Sequence, residues 1–339
     1  MRAIVLHGPG DLRLDRVPDP RPGPGELVLR VEVALTCATD AKMAAAGRHP
    51  ALGPLPAGLG HEVVGTVAEA GPGAPFGLGE RLVVANSAPC GGCPECGSGR
   101  PGLCRRIEYL TGAFAELLRV PARIAAVNAV PLPAGIDPAL AAMTEPVACA
   151  VHGAARCGAA PGDVVLVLGG GLQGLVVAGL LAARGCRVHL ADPHAERRAL
   201  ARRFGAVAVH VAPRDDRSAA ALRAALPGGR GAAAVVEAVG RPEAWRAAVG
   251  LARPGGEILL HGGCPAGTEV TLPAGPLHYD ELTVRGSYHH TPAAVREALA
   301  LIASEALPLR DLLGAPAGLA EVPRILREER GAKRPVLPE

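Results

Sequence analysis

Four cysteines fall between residues 90 and 104, at Cys90, Cys93, Cys96 and Cys104. Thiolates in this C-x2-C-x2-C-x7-C spacing can surround a zinc ion completely. A closed four-ligand site is structural, because it ties down a segment that has no core of its own. Iron–sulfur clusters also take four cysteines, but this spacing fits ferredoxin patterns poorly. A disulfide framework is disfavoured by the odd total of nine cysteines. The opening segment, MRAIVLHGPG, has no apolar leader core, so a cytoplasmic chain with reduced thiols is expected.

A second chemical signal is glycine. Val164–Gly174 reads VVLVLGGGLQG and contains Gly169-x-Gly171-x-x-Gly174. Gly169 permits a tight turn, Gly171 lets the backbone approach a pyrophosphate, and Gly174 lets the next helix pack close to the strand. The helix N-terminus then offers free N–H groups and a positive dipole to phosphate. Alone the pattern is weak. Here a β-branched strand precedes it, an apolar helix follows, and Asp192 ends the next strand in LADP. A carboxylate there accepts hydrogen bonds from the adenosine ribose and repels a 2′-phosphate, which favours NAD over NADP. Arg197 and Arg198 close by weaken that preference. The expected cofactor contacts are Gly169, Gly171, Leu172, Gln173, Gly174, Asp192 and Arg197, with Val239 and His261 at later strand ends.

A third set is scattered: Cys37 in TCATD, His61 and Glu62 in GHE, and Glu145 in TEPVACAVH. Singly, each has a bland explanation. A lone cysteine is usually a small core residue, and a loop histidine is usually solvated. Their weight comes from standing beside the two signals above.

The elements that must position these residues fall into two patterns. With 339 residues, 49% hydrophobic and 20% charged, the chain is a folded protein of about two domains. Up to residue 150 it is β-rich and irregular, with strands expected at Ala3–Leu6, Leu27–Val33, His61–Ala68 and Arg81–Val84. Cys37 sits at a strand end, the cysteine lobe covers 88–105, and Pro138–Met143 forms a short helix. From residue 151 strands and helices alternate: Val164–Leu168, Leu172–Ala183, Arg187–Ala191, Ala195–Phe204, then Ala206–Val211 through Glu257–His261 and Leu282–Tyr288. That alternation predicts a doubly wound parallel sheet, an α/β Rossmann fold. Val164–Ala183 is long and uncharged enough to resemble a membrane span, but its glycines and Gln173 fit a strand, a turn and a buried helix better. The net charge of +3 is too small and dispersed for a nucleic-acid surface. Seven aromatic residues leave the core to Ala, Val and Leu.

Together these pieces resemble the zinc-dependent medium-chain alcohol/polyol dehydrogenases over essentially the whole chain. The matching segments are Cys37-x-Thr39-Asp40, GHEVVGTVAEAG (60–71), the four-cysteine lobe, GAFAELL (112–118), EPVACAVHG (145–153) and the glycine turn. The resemblance implies a β-rich, GroES-like catalytic domain built from both chain ends (1–150 and 286–339) around a Rossmann domain (151–285). It also implies two zinc ions per chain. The catalytic zinc would take Cys37, His61 and a carboxylate, Glu62 or Glu145, as in the sorbitol/threonine dehydrogenase-like branch. Thr39 would relay a proton and Asp40 would hold His61.

Two departures stand out. Relatives often carry glycine and histidine where this chain has Ala38 and Lys42. His49 is a substitute for that histidine, and Tyr288, His289 and His290 fall where the family's pocket meets the nicotinamide. The implied activity is NAD-dependent oxidation of a secondary alcohol, with a polyol or sugar alcohol favoured. Threonine, glucose, an aminocyclitol or a simple alcohol are alternatives, as is a non-catalytic zinc- and NAD-binding sensor. A small-molecule partner, a homodimer or homotetramer, and no nucleic acid or membrane complete the expectation.

Overall fold

The computed structural model describes residues 1–328 and 333–338. Contacts divide the chain into two units, Met1–Ala148 with Thr291–Glu339, and Cys149–His290.

The first unit is organised by Leu27–Leu35, which pairs antiparallel with Val63–Ala70, Leu117–Val120 and Pro335–Leu337. Its sequence, LVLRVEVAL, buries every side chain except those of Arg30 and Glu32. A strand covered on both faces needs apolar residues at successive positions, which this run supplies. Arg81–Val84 extends the sheet beyond Val63–Ala70. Around it Ile4, Leu6, Leu29, Val63, Phe114 and Ile124 form a continuous core. The C-terminal strand matters for function: by pairing with Ala34 and Leu35 it brings Lys333 beside residues almost three hundred positions earlier in the chain.

The second unit is a six-stranded, wholly parallel sheet. Its order is Ala208–His210, Arg187–Ala191, Val164–Leu168, Ala232–Glu237, Ala252–Leu260, Thr283–Gly286. The chain starts in the middle of the sheet and reverses direction between Val164–Leu168 and Ala232–Glu237. In such sheets ligands bind at that switch point, beyond the carboxyl ends of the strands. Leu166, Val235, Ile258, Leu222 and Val249 lie in the core that packs one face. The helix Leu172–Ala183 is buried along Gly174–Leu181, which accounts for the uncharged run. Among the described residues no helix is long and apolar enough to cross a membrane.

Three local expectations change. Leu27–Leu35 runs on past Val33, and Cys37 is not a strand end: it caps a helix, Ala38–Ala46. That helix escaped the pattern because ATDAKMAAA lacks a stripe of large apolar residues and its cap is a thiol rather than Ser, Thr, Asp or Asn. The strand expected from His61 begins at Val63, leaving His61 and Glu62 in the loop before it. The last strand of the parallel sheet is shortened to Thr283–Gly286.

Candidate active site

Cys37, His61 and Glu62 bring one ligand atom each within 4.8 Å of one another. The helix start explains how. Cys37 Sγ accepts the Thr39 N–H at 3.5 Å, and Asp40 Oδ2 accepts the Cys37 N–H at 3.1 Å, closing a reciprocal cap. The other oxygen, Oδ1, accepts the Gly60 N–H at 3.2 Å and the His61 Nδ1–H at 2.9 Å. Asp40 is fully buried, so three donors converge on a carboxylate that has no water to solvate it. With Nδ1 held by Asp40, His61 places its other nitrogen, Nε2, 3.8 Å from Glu62 Oε1. Burial opposes a charged His61 ring, but the Asp40 charge and hydrogen bond outweigh it and raise its pKa well above the usual value.

Glu62 is fully buried. Its Oε1 pairs with the Lys333 ammonium, and its Oε2 has no hydrogen-bond partner among the described residues. Lys333 also donates to the Thr36 carbonyl at 3.3 Å, and the thiol and carboxylates of Cys37, Glu62 and Glu145 outweigh its burial to keep it protonated. Glu145 stands outside the Cys37–His61–Glu62 trio. Burial pushes its carboxyl up to about 7, against the attraction of His61. A thiol, an imidazole lone pair and an orphaned carboxylate oxygen form the donor set a zinc ion takes when it keeps one position open, so these residues fit the metal. Lys333 was not among the sequence candidates. Its signal was rarity: only Lys42 and Lys333 are lysine among 35 basic residues. Lys42 itself is exposed, and His49 is half-buried with its Nδ1 accepting the Ala51 N–H at 3.1 Å.

The four lobe cysteines also converge, all four Sγ within 4.8 Å of one another. Cys93 Sγ lies 3.4 Å from Cys96 Sγ and 3.7 Å from Cys104 Sγ. Tetrahedral zinc with bonds of about 2.3 Å sets sulfurs about 3.8 Å apart. The Gly92 N–H holds the Cys90 thiol down at about 6, whereas burial and the neighbouring Cys93 push Cys96 up to about 11. Four thiolates this close would repel one another unless a cation lay between them, and the arrangement fits a closed zinc site.

In the second unit the glycine turn has the form that phosphate binding requires. Gly169 adopts φ +103°, and a Cβ on Gly174 would lie 1.9 Å from the Gly169 carbonyl oxygen. A Cβ on Gly171, at the start of the helix, would meet nothing within 4 Å. That open face beside uncapped N–H groups is a cradle for an anion. Asp192 is buried; its Oδ2 accepts the Gly170 N–H at 2.7 Å and its Oδ1 the His194 N–H at 2.8 Å. Arg197 approaches Oδ2 to 3.8 Å. Leu172 and Gln173 form the first turn of the helix, and the His261 Nε2–H donates to Gln173 Oε1 at 2.8 Å. Val239 is 46% exposed at the carboxyl edge of the sheet. Tyr288 is exposed, and its ring stacks 5.6 Å from that of His289, whereas His290 is buried.

Sequence profiles agree with this geometry. Residues 23–133 match an alcohol dehydrogenase GroES-like domain and residues 174–304 a zinc-binding dehydrogenase domain. The chain is 33% identical to L-galactonate-5-dehydrogenase of Escherichia coli K12, across 86% of this chain and 84% of that one. It is 31% identical to the erythritol/L-threitol dehydrogenase of Mycolicibacterium smegmatis, across 92% and 89%. Among solved structures, a Sinorhizobium meliloti 1021 protein assigned as a zinc-binding dehydrogenase and solved with NADP superposes with a TM-score of 0.88 at 31% identity, covering 99% of both chains. The chain belongs to the zinc-dependent medium-chain alcohol/polyol dehydrogenase family, oxidoreductases that work with zinc and a nicotinamide cofactor.

Proposed function

We propose that the chain oxidises a secondary alcohol of the polyol or sugar-acid class with NAD⁺, using Cys37, His61 and Glu62 to hold zinc. The observation that carries this reading is the Cys37–His61–Glu62 trio, with a carboxylate as its third member and Asp40 fixing the imidazole. Relatives named for L-galactonate, erythritol or L-threitol, and sorbitol all act on polyhydroxylated chains, which supports that substrate class. The scarcity of aromatic residues points the same way: a small polar substrate needs no greasy slot.

When bound, zinc supplies Lewis-acid polarisation of an alcohol oxygen, and the nicotinamide supplies the hydride acceptor. The chain's own residues do the rest. Asp40 keeps the proton on His61 Nδ1, so Nε2 stays a donor to metal. The Thr39 hydroxyl, two residues after Cys37 and partly exposed, would relay the substrate's proton, accepting it while releasing its own hydroxyl proton to solvent. Glu145 is the second carboxylate of the region, available for exchange with Glu62. Asp192 holds the adenosine ribose and disfavours a 2′-phosphate, giving NAD preference. Cys90, Cys93, Cys96 and Cys104 hold a second, structural zinc. The Thr283–Gly286 strand, last in the parallel sheet, offers an edge for pairing with a second copy, consistent with a homodimer or homotetramer.

The test is a panel of sugar acids, tetritols, hexitols, threonine, glucose and simple alcohols, followed by NADH absorbance. Turnover on a polyol or sugar acid at least tenfold above the simple alcohols is expected. Activity unchanged in Cys37→Ala, or confined to simple alcohols, refutes the proposal.

A further inference from the structure

Glu237 is the one fully buried carboxylate of the second unit outside the ribose site, and nothing in the chemistry above uses it. It ends the Ala232–Glu237 strand at the carboxyl edge of the sheet. Its Oε1 accepts the Val239 N–H at 2.7 Å and the Gly240 N–H at 2.8 Å. Its backbone carbonyl accepts the His261 N–H at 2.9 Å and the Gly262 N–H at 2.8 Å. The residue therefore ties the loop after its own strand to the loop after the neighbouring one. The loops touch directly: a Cβ on Gly262 would lie 2.3 Å from Gly240 N and 2.8 Å from Glu237 Oε2. Trp245, the only tryptophan of the chain, donates its Nε1–H to the Gly262 carbonyl at 3.0 Å and closes the knot.

What this knot holds is the cofactor edge. Val239 leans over the phosphate turn, close enough that a Cβ on Gly169 would meet Val239 Cγ2 at 2.9 Å. The side chain of His261 reaches Gln173 on the first turn of the phosphate-binding helix. Both therefore depend on backbone that Glu237 fixes. A carboxylate is costly in so buried a place, and Glu237 Oε2 has no hydrogen-bond partner among the described residues.

We propose that Glu237 is a positioning residue for the nicotinamide cofactor, its side chain setting the Val239 lip through the Val239 and Gly240 N–H groups against the loop that carries His261. This rests on the reading that the chain binds NAD at this edge. The test titrates NADH into zinc-loaded wild type, Glu237→Gln, Glu237→Asp and Gly262→Ala, reading energy transfer from Trp245, with zinc content and melting temperature measured in parallel. Glu237→Gln keeps an oxygen for the two N–H groups, so NADH affinity within about threefold of wild type is expected. Glu237→Asp, one methylene shorter, and Gly262→Ala, which forces the loops apart, are expected to weaken NADH at least tenfold with zinc content unchanged and kcat at saturating cofactor changed less than about threefold. Wild-type affinity in Glu237→Asp, or equal losses in the Asp and Gln variants, overturns the proposal. So does a parallel fall in zinc content. If wild type itself does not bind NADH, the cofactor reading fails, and the proposal with it.

Discussion

The substitution Asp40→Asn probes the metal trio through a residue that is not itself a ligand. Asp40 holds three donors: Cys37 N–H on Oδ2, and Gly60 N–H with His61 Nδ1–H on Oδ1. An asparagine oxygen can serve the pair at Oδ1, but its amide then faces the Cys37 N–H, donor against donor. Alternatively the oxygen faces Cys37 and two donors go unmet. In the better case one charge-assisted bond is lost and two are weakened, which costs about 2–4 kcal/mol of local stability at a site without water to compensate. His61 also loses the charge that fixes its tautomer, and loss of such a partner typically lowers metal affinity by about 10–100-fold. The assay is competition for zinc against a chelator of known affinity, with cobalt substitution reporting the geometry of the site. Affinity within twofold of wild type, with an unaltered cobalt spectrum, would refute the claim that Asp40 organises the trio.

Other expectations follow from the same geometry. Metal analysis should find two zinc ions per chain, and Cys93→Ser should leave one, because the lobe closes only with four sulfurs; a wild-type count of one or none is incompatible with two sites. Gly174→Ala places a methyl against the Gly169 carbonyl oxygen, which is backbone and cannot swing aside, so NADH affinity should fall at least tenfold, about 1.4 kcal/mol or more, as read by fluorescence titration. Burial lowers the His261 pKa from 6.5 to about 4. The unfolded ring therefore takes up its proton first as pH falls, and the stability present above about pH 6.5 is lost progressively toward pH 4, by at most about 3 kcal/mol. Urea denaturation of the wild type and of His261→Gln between pH 7 and pH 4 checks the sign, since the variant should show a shallower decline.

What could be read from the sequence depended on how local the determinant was. The glycine turn and the cysteine lobe are short, contiguous patterns whose chemistry follows from spacing, and both appear in the structure where the pattern put them. Val164–Leu168 and Leu172–Ala183 match to the residue, because a β-branched run ending in glycines leaves no other boundary. The helix Ala38–Ala46 was illegible: its first turn is held by a thiol and by Asp40, whose partners Gly60 and His61 lie twenty residues away. Buried Glu237 was equally silent, since a glutamate at a strand end looks solvated until the neighbouring loop is in place.

Lys333 shows the limit most clearly. Asp40, Glu62 and Glu145 are all nearly or wholly buried in the first unit, with the Cys37 thiol beside them. Such groups cost several kcal/mol each to remove from water unless paired. Asp40 is satisfied by three N–H donors, and burial holds the Glu145 carboxyl up at about 7, which eases the cost of its charge. Glu62 is compensated by an ammonium that only the returning C-terminal strand can deliver. No pattern around residue 62 or residue 333 hints at the other, because the pairing is made by a sheet that joins the two ends of the chain. The trio that would hold a dication is assembled only in the folded first unit, so metal binding and folding of that unit are linked. Lys333→Met, which removes the ammonium and leaves Glu62 buried without it, should therefore make the melting temperature of the protein more dependent on zinc than it is in the wild type. An equal zinc-induced rise in both would mean that Glu62 draws its compensation from elsewhere.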